Sequence, residues 1–130
     1  MFALYNFVPH DHCDEVVAQL TAGGYSFRRL DGGGLRDATA LWEASARQLG
    51  HGKVGGWDGY LDDVGRALLP DDDESDHVAL LWLHADHLAG SDLGAFCAAF
   101  DALTTVARAA YAQGTTILLF FFGDDFKSAS

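Results

Sequence analysis

A pair of carboxylates is the feature of this sequence that points most clearly to chemistry. Asp58 and Asp62 lie four residues apart in a segment whose apolar residues recur at helical spacing, so both fall on one face of a helix. Like charges at this spacing destabilise a helix by roughly 0.3 kcal/mol, and only Asp58 lies in the first turn, where the helix dipole favours it. Two interpretations remain open: a solvated acidic face, or a carboxylate pair offered to a cationic partner.

Histidine and cysteine form a second group of candidates. His10, His12 and Cys13 lie close together, and His84 and His87 form an H-x-x-H pair. On a helix this pair could supply two metal ligands, but His84 falls at the edge of a predicted strand, where the geometry is poorer. No H-E-x-x-H or C-x-x-C pattern accompanies the histidines. We therefore expect no metal and no cofactor, and keep as a minor alternative a small metal-dependent enzyme that uses His10, His12, His84 and His87.

Nucleophilic catalysis has no support in the sequence. No serine occupies a G-x-S-x-G turn, and Cys97 falls in the apolar part of a predicted helix. The two cysteines, Cys13 and Cys97, lie far apart in a chain whose first residues lack the basic region of a secretory signal. These observations favour reduced thiols and predict a cytoplasmic protein.

The net charge of the chain excludes some classes of binding partner. Among the 130 residues, 8 are Lys or Arg and 19 are Asp or Glu, which gives a formal net charge of −11. This sign excludes nucleic acids and anionic membrane surfaces as partners, whereas a basic protein would be attracted. The apolar fraction of 49% is large enough for a buried core, and the length suits one domain.

The elements that must position these residues are strands alternating with helices. Strands are predicted at residues 2–8, 25–30, 78–83 and 117–122, and loops at residues 50–56 and 71–76. Helices are predicted from Asp11 or Asp14 to Gly23, from Asp37 to Gly50, from Trp57 to Pro70, and through Phe96 to Gly114. This alternation implies crossover connections and a small parallel sheet.

Several segments resemble the barstar family, the small cytoplasmic inhibitors of secreted microbial ribonucleases. Residues 55–62, Gly-Gly-Trp-Asp-Gly-Tyr-Leu-Asp, resemble the family's signature at the start of its second helix. Residues 30–41 resemble its first strand, turn and first helix. Trp82 matches a tryptophan that the family often has, and residues 112–119 match its last joint between helix and strand. The resemblance spans residues 30–120.

The resemblance implies a function and a binding site. In the family, the second helix and the loop before it enter the ribonuclease active site, and the later acid of the motif lies where the substrate phosphate would be. By motif match Asp62 would mimic the phosphate and Asp58 would be its neighbour on the same face. Gly56, Trp57 and Leu61 would be flanking contacts with the partner.

The sequence thus predicts one barstar-like α/β domain, residues 1–130, in which residues 1–29 form an N-terminal strand and helix extension. Its sheet has three parallel strands, to which the extension could add a fourth. The expected function is to inhibit a basic ribonuclease or related toxin, as an immunity protein does. The alternative is an interaction module that keeps this scaffold and binds a different protein, or that associates with itself through the extension.

Overall fold

The sheet of this protein is built from four parallel strands. The computed structural model describes residues 3–49, 56–70 and 76–124. The strands are β1 (Tyr5–Val8), β2 (Ser26–Asp31), β3 (His77–Leu83) and β4 (Thr116–Phe122). The α-helices are α1 (Cys13–Ala22), α2 (Ala38–Leu49), α3 (Trp57–Leu68), α4 (Ala85–Ser91) and α5 (Leu93–Ala112). The start of the first predicted strand, most of the glycine-rich loop and most of the acidic loop lie outside the described residues.

The strand order confirms the predicted α/β class and adds the fourth strand. The order across the sheet is β1-β4-β3-β2, and every neighbouring pair is parallel. The N-terminal segment supplies β1, which pairs with β4 and places Tyr5 opposite Leu119. The predicted central strand, β4, therefore lies between β3 and β1, with its side chains buried from Ile117 onwards.

The connections cover both faces of the sheet. After β1 the chain crosses the whole sheet through α1 to reach β2, and it then returns strand by strand through α2 and α3, and through α4 and α5. Because the two directions of travel are opposite, crossovers of one hand require opposite faces. The packing agrees: α1 covers one face of the sheet, and the other helices cover the opposite face.

Alternation along the strands divides the core into two layers. On β3, Val78, Leu80 and Trp82 face α2 to α5, whereas Ala79 and Leu81 face α1. A strand covered on both faces has to be apolar at every position, which is why β3 and β4 appear in the sequence as continuous apolar runs. The larger layer lies beneath α2 to α5, and the smaller one is closed by Val16 and Leu20 of α1.

The helices α2 and α1 differ in how their first residues are capped. Asp37 caps α2, since its Oδ1 accepts a hydrogen bond of 2.8 Å from the Ala40 amide. The prediction that Asp11 or Asp14 caps α1 was wrong. A 3-10 turn, His10–His12, comes directly before α1, so His12 occupies the cap position and makes no side-chain cap hydrogen bond. Asp14 lies in the first turn of α1 instead.

The long helix α5 forms the middle of the larger layer. By length and composition alone it could cross a membrane. One face of it, however, packs into the core through Phe96, Ala99, Leu103 and Ala107. Asp92 caps it by accepting a hydrogen bond of 3.0 Å from the Ala95 amide. Its apolar character therefore matches its position against the sheet.

Candidate functional site

The acidic face of α3 results from the burial of the opposite face. Val64 and Leu68 are buried with Tyr60 in the layer against the sheet, at positions one helical turn apart. Asp58 and Asp62 lie half a turn away from them and are exposed. The structure therefore brings the two predicted carboxylates together on one solvent-facing side of α3.

Neither carboxylate is neutralised by the part of the chain that the structure describes. No hydrogen bond or ion pair joins the side chain of Asp58 or Asp62 to another residue in ranges 3–49, 56–70 and 76–124. Arg66 follows Asp62 by one turn, a spacing that can support an ion pair, yet the two do not come within 4.0 Å of each other. Both carboxylates are consequently available to accept hydrogen bonds from the cations of another molecule.

The predicted flanking residues lie beside this face, but two of them also hold α3 in place. Trp57 is half-buried, and its ring meets Trp42 of α2 edge-on with centroids 5.3 Å apart. Leu61 is also half-buried and packs against the larger core layer. Gly56 precedes the helix with a φ of 122°, a conformation that favours glycine. Trp57 and Leu61 thus present only part of their surface to a partner.

A buried hydroxyl pair fixes α3 against α2. Tyr60 is fully buried, and the Ser45 hydroxyl of α2 donates a hydrogen bond of 3.3 Å to its phenolic oxygen. Burial raises the pKa of Tyr60 to about 12, against an opposing contribution from the Ser45 hydrogen bond. The helix that carries the acidic face is therefore held against α2 by a buried contact.

A second group of polar side chains gathers at the carboxyl edge of the sheet. His84 follows β3 directly and occupies the cap position of α4, and His87 lies in the first turn of that helix. Their rings lie 5.2 Å apart. Asp86, between them in sequence, brings a carboxylate oxygen within 4.8 Å of a ring nitrogen of each. His84 flanks the end of β3, as the sequence predicted, but the short helix α4 that begins immediately afterwards was not predicted.

His10 reaches the same edge from the other end of the chain. It follows β1, and its ring stacks on that of His84 with centroids 4.3 Å apart. Its backbone amide donates a hydrogen bond of 3.0 Å to Asp124, just beyond β4. The sequence placed His10 beside His12 and Cys13 and joined it to His84 and His87 only in the minor alternative of a metal-dependent enzyme, without predicting that the rings of His10 and His84 stack. The available signal was that both histidines follow strands, because parallel strands end at a common edge.

The other members of that N-terminal group do not join this cluster. His12 is exposed, and its Nε2 lies 4.0 Å from Asp11 Oδ1. Cys13 is the first residue of α1. Burial raises the pKa of the Cys13 thiol. Two nearby charges have smaller effects: Arg29 lowers this pKa and Asp14 raises it. Both cysteines are free, in agreement with the expectation of reduced thiols. The prediction that Cys97 lies in the apolar part of its helix was wrong, since its side chain is exposed on α5.

Two of the cavities among the described residues lie at opposite edges of the sheet. A polar one of about 370 Å³ adjoins the histidine group and is lined by Arg36, Ser91, Asp86 and His87 among others. An apolar one of about 670 Å³ lies at the opposite, amino edge of the sheet, where Leu4, Tyr25, Arg108, Tyr111 and residues 116–118 line it. Only the first combines imidazole, carboxylate and guanidinium groups among its lining residues.

Comparisons of this chain with family models, with curated proteins and with solved structures find no match.

Proposed function

We propose that this protein is a cytoplasmic inhibitor, without enzymatic activity, that blocks the active site of a basic ribonuclease or related toxin with the acidic face of α3. The observation that carries the proposal is the pair Asp58 and Asp62, exposed one turn apart and without a cationic partner among the described residues. The resemblance of residues 55–62 to the barstar signature supports the same assignment.

The two carboxylates of Asp58 and Asp62 determine which kind of partner surface this face of α3 can bind. Burying two carboxylates in an interface is unfavourable unless cations and hydrogen-bond donors replace the lost water. An enzyme that binds RNA phosphates arranges Arg, Lys and His groups for this purpose. Asp62, as the phosphate mimic, and Asp58 beside it would accept charge-assisted hydrogen bonds from those groups.

The remainder of the molecule supports fast and rigid association. The net charge of −11 accelerates encounter with a basic protein, and screening by salt reduces that acceleration. Trp57 is held by Trp42, so its exposed edge loses little conformational freedom on binding. Gly56 and Leu61 complete the surface around the two acids.

The test compares three versions of the protein as baits in the lysate and culture medium of the source organism, at low salt. They are the wild type, the variant Asp58→Asn/Asp62→Asn, and the control Asp14→Asn/Glu15→Gln. The control changes the net charge by the same amount, but its exposed side chains lie on α1, on the opposite face of the sheet. Circular dichroism checks that every version is folded.

The wild type and the control should retain a basic nuclease and suppress its cleavage of RNA. The α3 variant should bind at least about 30-fold more weakly, mainly through faster dissociation, because it leaves the partner's cations buried without counter-charges. Equal retention by all three baits would contradict the proposal. The proposal would also be contradicted if the wild type retained a partner but left that partner's cleavage of RNA unchanged.

The alternative function has an observation of its own. β1 is an edge strand, and Tyr5 and Phe7 on it are 43% and 49% exposed although both contact the Phe100 ring. An edge strand with exposed aromatic residues can pair with another chain. An interaction module would then bind through β1, and its binding would not depend on Asp58 or Asp62. Analytical ultracentrifugation over a range of concentrations distinguishes self-association from binding to another protein.

A further inference from the structure

We propose that His84, Asp86 and His87 bind one divalent transition-metal ion at the carboxyl edge of the sheet. One nitrogen of each imidazole and one oxygen of the carboxylate already lie within 4.8 Å of one another. A tetrahedral ion with bonds of about 2.0–2.2 Å needs its ligand atoms roughly 3.4 Å apart. The three side chains therefore have to close by little more than an ångström. The site is separate from α3 and does not depend on the proposed inhibition.

The ligand types specify the class of metal. Imidazole nitrogens favour zinc, cobalt and iron, whereas magnesium and calcium prefer sites made of oxygen atoms alone. Three protein ligands leave at least one coordination position open, an arrangement typical of catalytic rather than structural zinc. The polar cavity that Arg36 and Ser91 line with Asp86 and His87 adjoins that open position.

The backbone holds the first ligand in an unusual conformation. His84 has a φ of 54° and a ψ of 39°, and it is the one residue other than glycine with a positive φ in the described ranges. A residue of this type in the left-handed region is strained by about 1 kcal/mol or more, and such strain concentrates at functional sites. The stacked His10 ring supports the His84 imidazole from the side of β1.

The carboxylate is positioned by the end of β4. Asp86 Oδ2 accepts a hydrogen bond of 3.2 Å from the Asp124 amide. The carboxyl group lies so close to Gly123 that a β-carbon there would be 2.6 Å from Asp86 Cγ. A substitution at Gly123 would therefore displace the carboxylate without removing a ligand atom. Contacts of this kind, from groups that do not bind the metal themselves, keep metal ligands in the correct orientation.

His87 is held by the loop that follows β2. The Gly34 amide donates a hydrogen bond of 3.0 Å to His87 Nδ1, so this nitrogen acts as the acceptor. A metal ion bound at Nδ1 has to replace this hydrogen bond. Gly34 has a φ of 82°, and nothing lies within 4 Å of the place where its β-carbon would be. The Gly34 amide resonance should accordingly shift when metal binds.

The experiment uses the full chain without a histidine tag, stripped of metal. Cobalt(II) is titrated while its visible absorption bands are recorded, and zinc is then added to displace it in a calorimeter. We expect one equivalent of cobalt in a site of low coordination number, displacement by zinc, and a shift of the Gly34 amide in the NMR spectrum of the zinc complex.

Three variants and two controls test the assignment. Asp86→Asn and His87→Ala should each weaken binding at least tenfold, and Gly123→Ala should weaken it by displacing the carboxylate. His12→Ala, which removes an exposed imidazole outside the cluster, and Asp58→Asn/Asp62→Asn should bind as the wild type does. Thermal unfolding checks each fold, and His87→Ala is informative even if Asp86→Asn is unstable, because His87 is exposed.

Two results would overturn the proposal. One is a wild-type protein that shows no stoichiometric cobalt spectrum. The other is equal affinity of the His87→Ala and His12→Ala variants, which would assign any binding to scattered surface imidazoles. Neither result bears on inhibition through α3, which is measured with the nuclease.

Discussion

Alkaline destabilisation through Tyr60 is the consequence of this structure that can be worked out most fully. The phenol is fully buried beneath the acidic face of α3, and its pKa rises from 10 to about 12. The folded protein therefore retains this proton at pH values where the unfolded chain has lost it. Stability from this group is complete below pH 10 and is lost as the pH rises through 12.

The size of the effect follows from the two pKa values. A difference of two units corresponds to about 3 kcal/mol in total. Between pH 9 and pH 11 the expected loss is about 1 kcal/mol, because the unfolded chain is then largely ionised at this residue and the folded one is not. Other groups that titrate in this range contribute to the same measurement, so a variant is required.

Tyr60→Phe provides the comparison. It removes the ionisable group and leaves Ser45 without this hydrogen bond, which should destabilise the protein by about 1 kcal/mol at neutral pH. Urea unfolding at pH 9 and pH 11 gives the free energy of unfolding of each protein. The wild type should lose about 1 kcal/mol more than the variant over this interval. Equal losses would show that Tyr60 is not sealed between α2 and α3, and would refute the anchoring of the acidic helix.

Two further predictions concern glycines in contrasting surroundings. Gly65→Ala should stabilise the protein by about 0.5–1 kcal/mol, because a β-carbon within α3 would meet Val106 at an ordinary distance of 3.8 Å and a flexible residue leaves the helix. Gly32→Ala should destabilise it by about 1–3 kcal/mol, because its β-carbon would overlap the buried Trp82 ring and lie 2.8 Å from Leu83 O. Thermal and urea unfolding measure both, and a stabilising Gly32→Ala would contradict the close packing of this turn.

Local sequence determined the four strands, most of the helices and one of the two candidate sites. The periodicity of residues 57–68 predicted α3 with its observed ends, because Trp57 opens the apolar pattern and Pro70 stops the helix. The relation between Asp58 and Asp62 was also predictable, since helical spacing alone puts both side chains on one face. Continuous apolar runs likewise predicted strands covered on both faces.

Only the tertiary structure decided which distant residues meet. His10 reaches His84 because the order β1-β4-β3-β2 places the ends of β1 and β3 on either side of β4, a relation that no local pattern encodes. The short helix α4 has too few residues for a periodic signal, so the sequence did not predict it. The exposure of Cys97 depends on which side of α5 the sheet covers. Spacing along the chain fixes the geometry within one element, whereas contacts between elements depend on how the sheet is assembled.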